Sequence, residues 1–298
     1  MIETLRICRS MLRAYLPLKL FVVYVCTMTS VSAATWVTNI ESSPEEYSVE
    51  RRGNVVQVQV YSSLIRGDII IINGENSKIQ LESDDGSIVT ISKTDSPFTV
   101  ESTGEPADWD KNLTEWVLSL FSEESGSEQN VVSMVSRGGI DGHSRIVIPA
   151  VSTSFVQLSS GNRDFCLQWI GGSPPYKIRI TRVEVPNIIV AHRYLVKSEV
   201  VLPDLALRTG QYLLEIFGSH ALSAMVAINV VPQESVPVPP IKFQVTKMSP
   251  KMRVTLKSAW LAEQDDGVWR LEAVQQLCRL HNNYYPAAAI INAFGRKN

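Results

Sequence analysis

The sequence predicts a mainly β protein with a helical C-terminus, and three observations support this prediction. Residues 55–101 alternate apolar and polar positions and are interrupted by Gly-Asp, Asn-Gly and Asp-Gly turns. Residues 141–232 contain eight β-rich runs at the spacing of about 8–12 residues that is typical of a sandwich. Beyond residue 240 the apolar positions recur at helical spacing. We therefore expect a small β module, an immunoglobulin-like β-sandwich and a short α-helical cap.

The composition is that of an ordinary globular protein. Of 298 residues, 45% are hydrophobic and 19% are charged, which excludes wholesale disorder and leaves room for two or three domains. The formal net charge of −2 provides no basic surplus for neutralising phosphates. We therefore expect no nucleic-acid partner.

Residues 1–34 have the pattern of a secretory signal peptide. Four basic residues precede an apolar core of 12 residues, and small residues follow, so that cleavage fits after Ala33 or Ala34. The alternative is an uncleaved membrane anchor, but the core is shorter than the roughly 20 residues that a spanning helix needs. We expect a periplasmic or secreted protein that contacts the membrane only if this segment is retained.

The β module is predicted at residues 47–103. The stretch from Thr35 to Gly53 has few apolar residues and is expected to contain at most one edge strand. Residues 55–60, VVQVQV, alternate strictly and are typical of a half-buried strand. Together with the runs that follow, they predict a compact sheet of about five short strands.

Four features of this module resemble the FecR-like domain of ferric-citrate-type regulators and other exported bacterial proteins. They are Arg66-Gly67-Asp68 before a strand, Asn73-Gly74, the strand Lys78-Ile79-Gln80-Leu81, and Asp85-Gly86-Ser87 before the next strand. The resemblance covers residues 55–101. Unlike the regulators, the sequence has no long helical segment before its apolar stretch and no full-length transmembrane helix. The resemblance implies an extracytoplasmic interaction or sensing module.

Residues 104–140 are expected to form an acidic connector. Eight acidic residues between positions 101 and 129 are opposed by Lys111 alone. A helical apolar pattern from Asp110 to Phe121 predicts one short helix. A calcium loop is not expected, because the alternating ligand pattern that such a loop requires is missing.

The sandwich is predicted at residues 141–232. Cys166 and Trp169 have the spacing seen in an immunoglobulin-type strand, and Tyr212 occupies the position of a late sandwich tyrosine, although no second core cysteine follows it. Trp169 is expected in the core. Cys166 and Cys278, the two cysteines left after signal cleavage, lie in different predicted segments. We expect them to be buried free thiols, with a disulfide as the alternative.

A Pro-rich linker at residues 233–240 precedes the predicted helical segment 241–298. Ser249-Pro250 is a favourable helix start, since serine caps the helix and proline fits its first turn. A turn containing Gly267 separates Trp260 from Trp269 and predicts a helical hairpin. We expect this segment to dock on the sandwich or on another protein.

No catalytic, cofactor-binding or metal-ligating residue is predicted. The sequence lacks a G-x-S-x-G motif, and its four histidines are scattered without zinc-ligand spacing. Cys278 and His281 lie three residues apart on a helical face, which is a packing arrangement. The predicted function is therefore non-enzymatic binding of protein or cell-envelope partners, through the edges of the two sheets and the Trp260/Trp269 hairpin. The alternatives are a secreted hydrolase or carbohydrate-active protein whose site assembles only in the fold, and a membrane-tethered signalling component.

N-terminal sequencing of the exported protein tests the predicted signal peptide. Cleavage after the small residues should give a mature chain that starts at Ala34 or Thr35, since signal peptidase requires small side chains at that point. A mature protein that still starts at Met1 would contradict the prediction.

Overall fold

The computed structural model describes residues 35–101, 145–185, 189–219, 223–240 and 248–296. The predicted signal peptide at 1–34 and the predicted acidic connector at 104–140 lie outside these residues. Within the described part of the chain, no helix is long and apolar enough to cross a membrane.

The described residues form fifteen strands and three α-helices. In chain order the strands are β1 (Thr35–Glu41), β2 (Tyr47–Arg51), β3 (Asn54–Val56), β4 (Ser63–Leu64), β5 (Ile69–Ile72), β6 (Lys78–Ser83), β7 (Ile88–Ser92), β8 (Phe98–Thr99), β9 (Phe155–Ser159), β10 (Gly161–Gln168), β11 (Tyr176–Arg182), β12 (Ile189–Leu195), β13 (Glu199–Leu207), β14 (Gly210–Phe217) and β15 (Ser223–Val231). The helices are α1 (Pro250–Ala262), α2 (Arg270–Leu277) and α3 (Tyr285–Arg296). The predicted class, mainly β with a helical C-terminus, is confirmed.

Strands β1 to β8 form the first β module, which consists of two four-stranded antiparallel sheets. Their strand orders are β4-β1-β6-β7 and β3-β2-β5-β8. The inward faces share a core of aliphatic side chains, as the β-branched composition predicts. The most deeply buried members of this core are Val37, Val49, Leu64, Ile70, Ile79 and Ile91.

The first β module begins earlier than the sequence predicted. Strand β1 is a central strand between β4 and β6, and β2 is a central strand of the second sheet, so residues 35–53 are not a lead-in with one edge strand. Residues 35–39 are all buried because β1 is covered on both faces. The predicted strand at 55–60 is also wrong. Only Val55 and Val56 of that run belong to β3, and Val55 is 71% exposed.

The Gly67-Asp68 turn of the first β module has a structural role. Gly67 adopts a φ of 87°, which other residues rarely take. The buried Asp68 carboxylate accepts two hydrogen bonds from the Arg51 guanidinium, at 2.9 and 2.7 Å, and a third from the backbone N–H of Ile65. The hydrogen bonds to Asp68 raise the pKa of Arg51. This ion pair ties the turn to β2.

Strands β9 to β15 form the sandwich. Its larger sheet has the order β12-β11-β14-β15-β9, in which β15 and β9 pair in parallel, and its smaller sheet contains β10 and β13. This connectivity is that of an immunoglobulin-like sandwich, with β10 and β13 opposite the sheet that carries β11 and β14. Of the eight predicted runs, the first forms only an isolated bridge between Val147 and Ile170.

Two aromatic residues of the sandwich occupy the positions that the sequence predicted. The Tyr212 hydroxyl at the start of β14 donates to the Arg208 carbonyl at 2.9 Å and accepts from the Arg208 N–H at 3.1 Å. This is the tyrosine corner of immunoglobulin-like domains. Trp169 is 1% exposed and packs edge-on against Tyr176, so it belongs to the core.

The three helices form the helical cap, residues 248–296. Ser249 caps α1 as predicted, because its hydroxyl accepts a hydrogen bond from the Met252 N–H at 3.1 Å. The chain then reverses through three residues with positive φ, residues 265–267, before α2 begins. Trp269 at this turn is only 2% exposed, and its indole N–H donates to Asp265 at 2.9 Å. The Trp269 side chain therefore contributes no exposed surface, and binding through the Trp260/Trp269 hairpin stays a prediction.

The helical cap joins the first β module to the sandwich. Trp36 and Tyr61 of the module belong to the same apolar cluster as the interior of the sandwich and the cap. The Tyr61 hydroxyl donates to the Pro286 carbonyl, and the Tyr284 hydroxyl donates to the buried Glu82 carboxylate at 2.5 Å. The predicted docking on the sandwich therefore describes only part of what the helical cap does, since the cap also covers β1 of the first β module.

High pH should destabilise the contact between the helical cap and the first β module. Burial raises the pKa of Tyr61 and Tyr284 above the ordinary value of 10.0. Both tyrosines stay neutral in the folded protein while the unfolded chain loses their protons, so stability falls above pH 10 by about 1.4 kcal/mol per pH unit for each tyrosine. Denaturant unfolding at a series of alkaline pH values measures this slope.

Substitution of both tyrosines by phenylalanine should flatten the slope, whereas Tyr194→Phe, at a site 69% exposed, should leave it unchanged. A folded protein in which Tyr61 and Tyr284 ionise near pH 10 would contradict the account.

Candidate functional site

Helix α2 closes one side of the sandwich, where the edges of both sheets would otherwise be open. The backbone N–H of Gln157 in β9 donates to the Val268 carbonyl just before α2, at 2.9 Å. Two residues later along β9, the Ser159 N–H donates to the Glu272 carboxylate at 2.9 Å. Edge strands with unpaired backbone groups can template aggregation, so this cover protects β9.

Glu272 is the centre of a buried polar cluster. Its carboxylate is 2.7 Å from Arg163 Nη1 and also accepts from the Ser159 hydroxyl at 3.1 Å. Arg163 Nη2 donates in turn to the Ser159 carbonyl and hydroxyl. The side chains of Glu272 and Arg163 are 5% and 17% exposed. Arg163 Nε is buried without a hydrogen-bond partner, but both Nη atoms and both carboxylate oxygens of the pair are hydrogen-bonded, so the ion pair can lie inside the protein.

Gln275 covers the edge of β10 in the same manner. Its side-chain amide accepts from the Cys166 N–H and donates to the Cys166 carbonyl, both at 2.8 Å. These two bonds imitate the pairing of a neighbouring strand. Glu272 and Gln275 are three residues apart on α2, which places both side chains on one helical face.

Cys278, three residues beyond Gln275, forms a disulfide with Cys166, and the two Cα atoms are 6.2 Å apart. The prediction of free thiols is therefore wrong. It assumed that the two segments belong to separate domains, whereas α2 packs directly on β10. The His281 Nδ1 lies 2.6 Å from the Cys278 carbonyl, which is the local packing arrangement that the sequence indicated.

An open groove lies beside this disulfide, between the outer face of the β10–β13 sheet and helices α2 and α3. We call it the disulfide groove. Its larger lobe has a volume of about 520 Å³ and its smaller lobe about 310 Å³. The two lobes meet along shared residues, which include Cys166, Gln168, Val274, Ile291 and Asn292. These volumes lie within or near the roughly 300–1,000 Å³ typical of ligand pockets.

The groove combines an apolar floor with polar walls. Val201, Val274 and Ile291 supply aliphatic surface, and Val201 is 54% exposed although it lies on a strand. Lys197 and Glu199 also line the larger lobe, and neither forms an ion pair with another described residue.

Glu199 is the single carboxylate among the described residues that line the two lobes. The groove therefore does not supply the pair of carboxylates that glycoside hydrolysis generally uses.

The predicted sheet-edge surfaces are also exposed. At the β12 edge of the sandwich, Tyr194 is 69% and Val196 is 78% exposed, and Lys177 approaches the Tyr194 ring at 5.9 Å. At the β7 edge of the first β module, Ile88 and Val89 are each 47% exposed.

Arg270, at the start of α2, is a buried cation with a structural role. It is 3% exposed and lies over the Phe294 ring of α3, with its guanidinium carbon 5.1 Å from the ring centre. Burial lowers the pKa of Arg270, and the Glu263 carboxylate at 3.8 Å acts in the opposite direction. The cation–π contact links α2 to α3 and so helps fix the groove wall.

Among the described residues, no group of three or more His, Cys, Asp or Glu side chains is placed to hold a metal ion. Glu272 and Gln275 were not among the residues predicted to matter, although both lie within the predicted helical segment. The spacing Glu272-x-x-Gln275-x-x-Cys278 is the signal that could have identified a polar face directed at the sandwich.

No protein-family model, curated protein or solved structure matches this chain. The FecR-like resemblance therefore stays a prediction, and the function has to be argued from the residues of the chain itself.

Removal of the Glu272 side chain should destabilise the protein strongly. Glu272→Ala leaves Arg163 without its carboxylate and Ser159 without its acceptor, which should cost about 3–5 kcal/mol of unfolding free energy. Arg279→Ala, just beyond the C-terminus of α2, is the matched control, because its side chain is 75% exposed and its pair with Asp164 is a surface contact. The control should cost less than about 1 kcal/mol. Equal losses in urea unfolding would contradict the assigned role of Glu272.

Proposed function

We propose that this chain is a non-enzymatic, exported binding protein that recognises protein or cell-envelope partners. The observation that carries the proposal is the disulfide groove, a concave and partly apolar surface at the junction of the sandwich and the helical cap. Concave sites with an apolar floor and a few polar groups are the usual form of ligand sites in proteins.

The disulfide between Cys166 and Cys278 supports export. Disulfides form and persist in oxidising compartments such as the periplasm and the extracellular space. The signal-peptide pattern at residues 1–34 points to the same compartment.

The rigidity of the groove supports a binding role. Its walls are fixed by the disulfide, by the two Gln275–Cys166 hydrogen bonds and by the Arg270–Phe294 contact. A site that is already ordered loses little conformational entropy when a partner binds. The same reasoning predicts that deletion of the helical cap would destroy the fold together with the site, so the partner has to be sought with the full chain.

Site-specific photo-crosslinking in the intact envelope tests the proposal. A photoreactive phenylalanine at Val201, in the groove, should form adducts with an envelope component. The same residue at Tyr194 tests the β12 edge of the sandwich. Val238 is the matched control, because it is 76% exposed but lies in the linker at residues 233–240, outside the groove and away from the sheet edges.

Mass spectrometry of the cross-linked peptides identifies the adducts. Adducts from Val201 or Tyr194 that are missing at Val238 would support a binding protein. A folded, exported protein without specific adducts at either position would overturn the proposal.

A further inference from the structure

We propose that the disulfide groove binds an extended peptide segment of about three or four residues, with one aliphatic side chain seated between Val201, Val274 and Ile291. The inference rests on the proposed function, since it names the class of ligand and the site that the binding protein would use. Three properties of the groove lead to it: its length, its side-chain amides and its charge.

The length of the groove follows from α2, which forms one wall. The lining residues Leu271, in this helix, and Cys278, which caps its C-terminus, are seven positions apart, or about 10 Å along the helix axis. An extended chain advances roughly 3.3 Å per residue. A groove of this length therefore accommodates about three residues between its ends, with room for flanking residues outside.

The side-chain amides of the groove match a peptide backbone. Gln168, Asn282 and Asn292 line the larger lobe, and no hydrogen bond connects their side chains to another described residue. Each amide offers one acceptor oxygen and two N–H donors, which is the complement of a peptide C=O and N–H. A purely hydrocarbon ligand would cover these groups without replacing their hydrogen bonds to water, which is costly.

The charge of the groove favours a neutral segment. Lys197 and Glu199 both line the larger lobe with opposite signs, so their charges balance and provide no excess of cations for a phosphate or another anion. The aliphatic floor between Val201, Val274 and Ile291 then selects a Leu, Ile or Val side chain through burial of apolar surface.

A library of blocked tetrapeptides, N-acetylated and C-amidated, tests the inference on the full mature chain in its disulfide-bonded form. Each pool is one defined peptide, which carries Leu, Val, Asp or Lys at the second position and alanine at the other three positions. Methyl NMR follows the signals of Val201, Val274 and Ile291 as each pool is titrated. The Leu and Val pools should shift these signals saturably, and the Asp and Lys pools should not.

Two variants test the contacts. Asn292→Ala removes one exposed side-chain amide from the groove and should weaken binding of the Leu pool about tenfold, as expected for a lost hydrogen bond. Gln211→Ala is the matched control, since Gln211 is an exposed amide on β14 outside the groove, and binding should be unchanged.

Decanoate and maltotriose, titrated in parallel, represent a lipid and a glycan ligand. Methyl shifts caused by either of these but by no peptide pool would overturn the inference, and so would the failure of every pool to shift the signals. The proposed binding function would survive such a failure if envelope adducts still formed at Val201 or Tyr194. The absence of those adducts would instead contradict the proposed function itself.

Discussion

The structure depends on a single helical face that supplies the missing neighbours of two strands. Glu272 accepts the free backbone N–H of Ser159 in β9, and Gln275 pairs with both backbone groups of Cys166 in β10. Buried backbone groups without partners cost free energy comparable to a lost hydrogen bond, so neither edge could be covered by an apolar helix alone. The Cys166–Cys278 disulfide then holds the same face in register with β10.

This arrangement explains why the three parts of the chain form one unit. With α2 fixed on the sandwich, α3 lies beside β1 of the first β module, where the Tyr284–Glu82 and Tyr61–Pro286 hydrogen bonds are buried. Trp36 projects into the cluster that also contains the interior of the sandwich. The groove follows from the same geometry. Helix α2 covers the sheet edges, but the outer face of β10 and β13 stays open next to α3.

Local features of the sequence predicted their own structure well. Ser249-Pro250 starts α1, and the Asp-Asp-Gly turn ends it. Tyr212 forms the tyrosine corner of the sandwich. Each of these features depends on residues within a few positions along the chain. The mainly β class and most sandwich strands followed from alternation, which is also local.

Contacts between distant segments could not be predicted in this way. Strand β1 looked like a lead-in because its polar residues suggested exposure, whereas the cap covers its outer face and buries them. Cys166 and Cys278 are 112 positions apart, and nothing local indicates that α2 packs on β10. The disulfide groove was missed for the same reason, since its walls come from four separate elements.

The central claim is that the cap unites the first β module and the sandwich into one cooperative unit. Fluorine NMR of the mature chain labelled with 5-fluorotryptophan tests it most directly, since Trp36, Trp169 and Trp269 report on the module, the sandwich and the cap. The account predicts that the native signals of all three disappear at the same denaturant concentration. A Trp36 signal with a midpoint clearly different from that of Trp169 would show that the module unfolds alone, and would contradict the account.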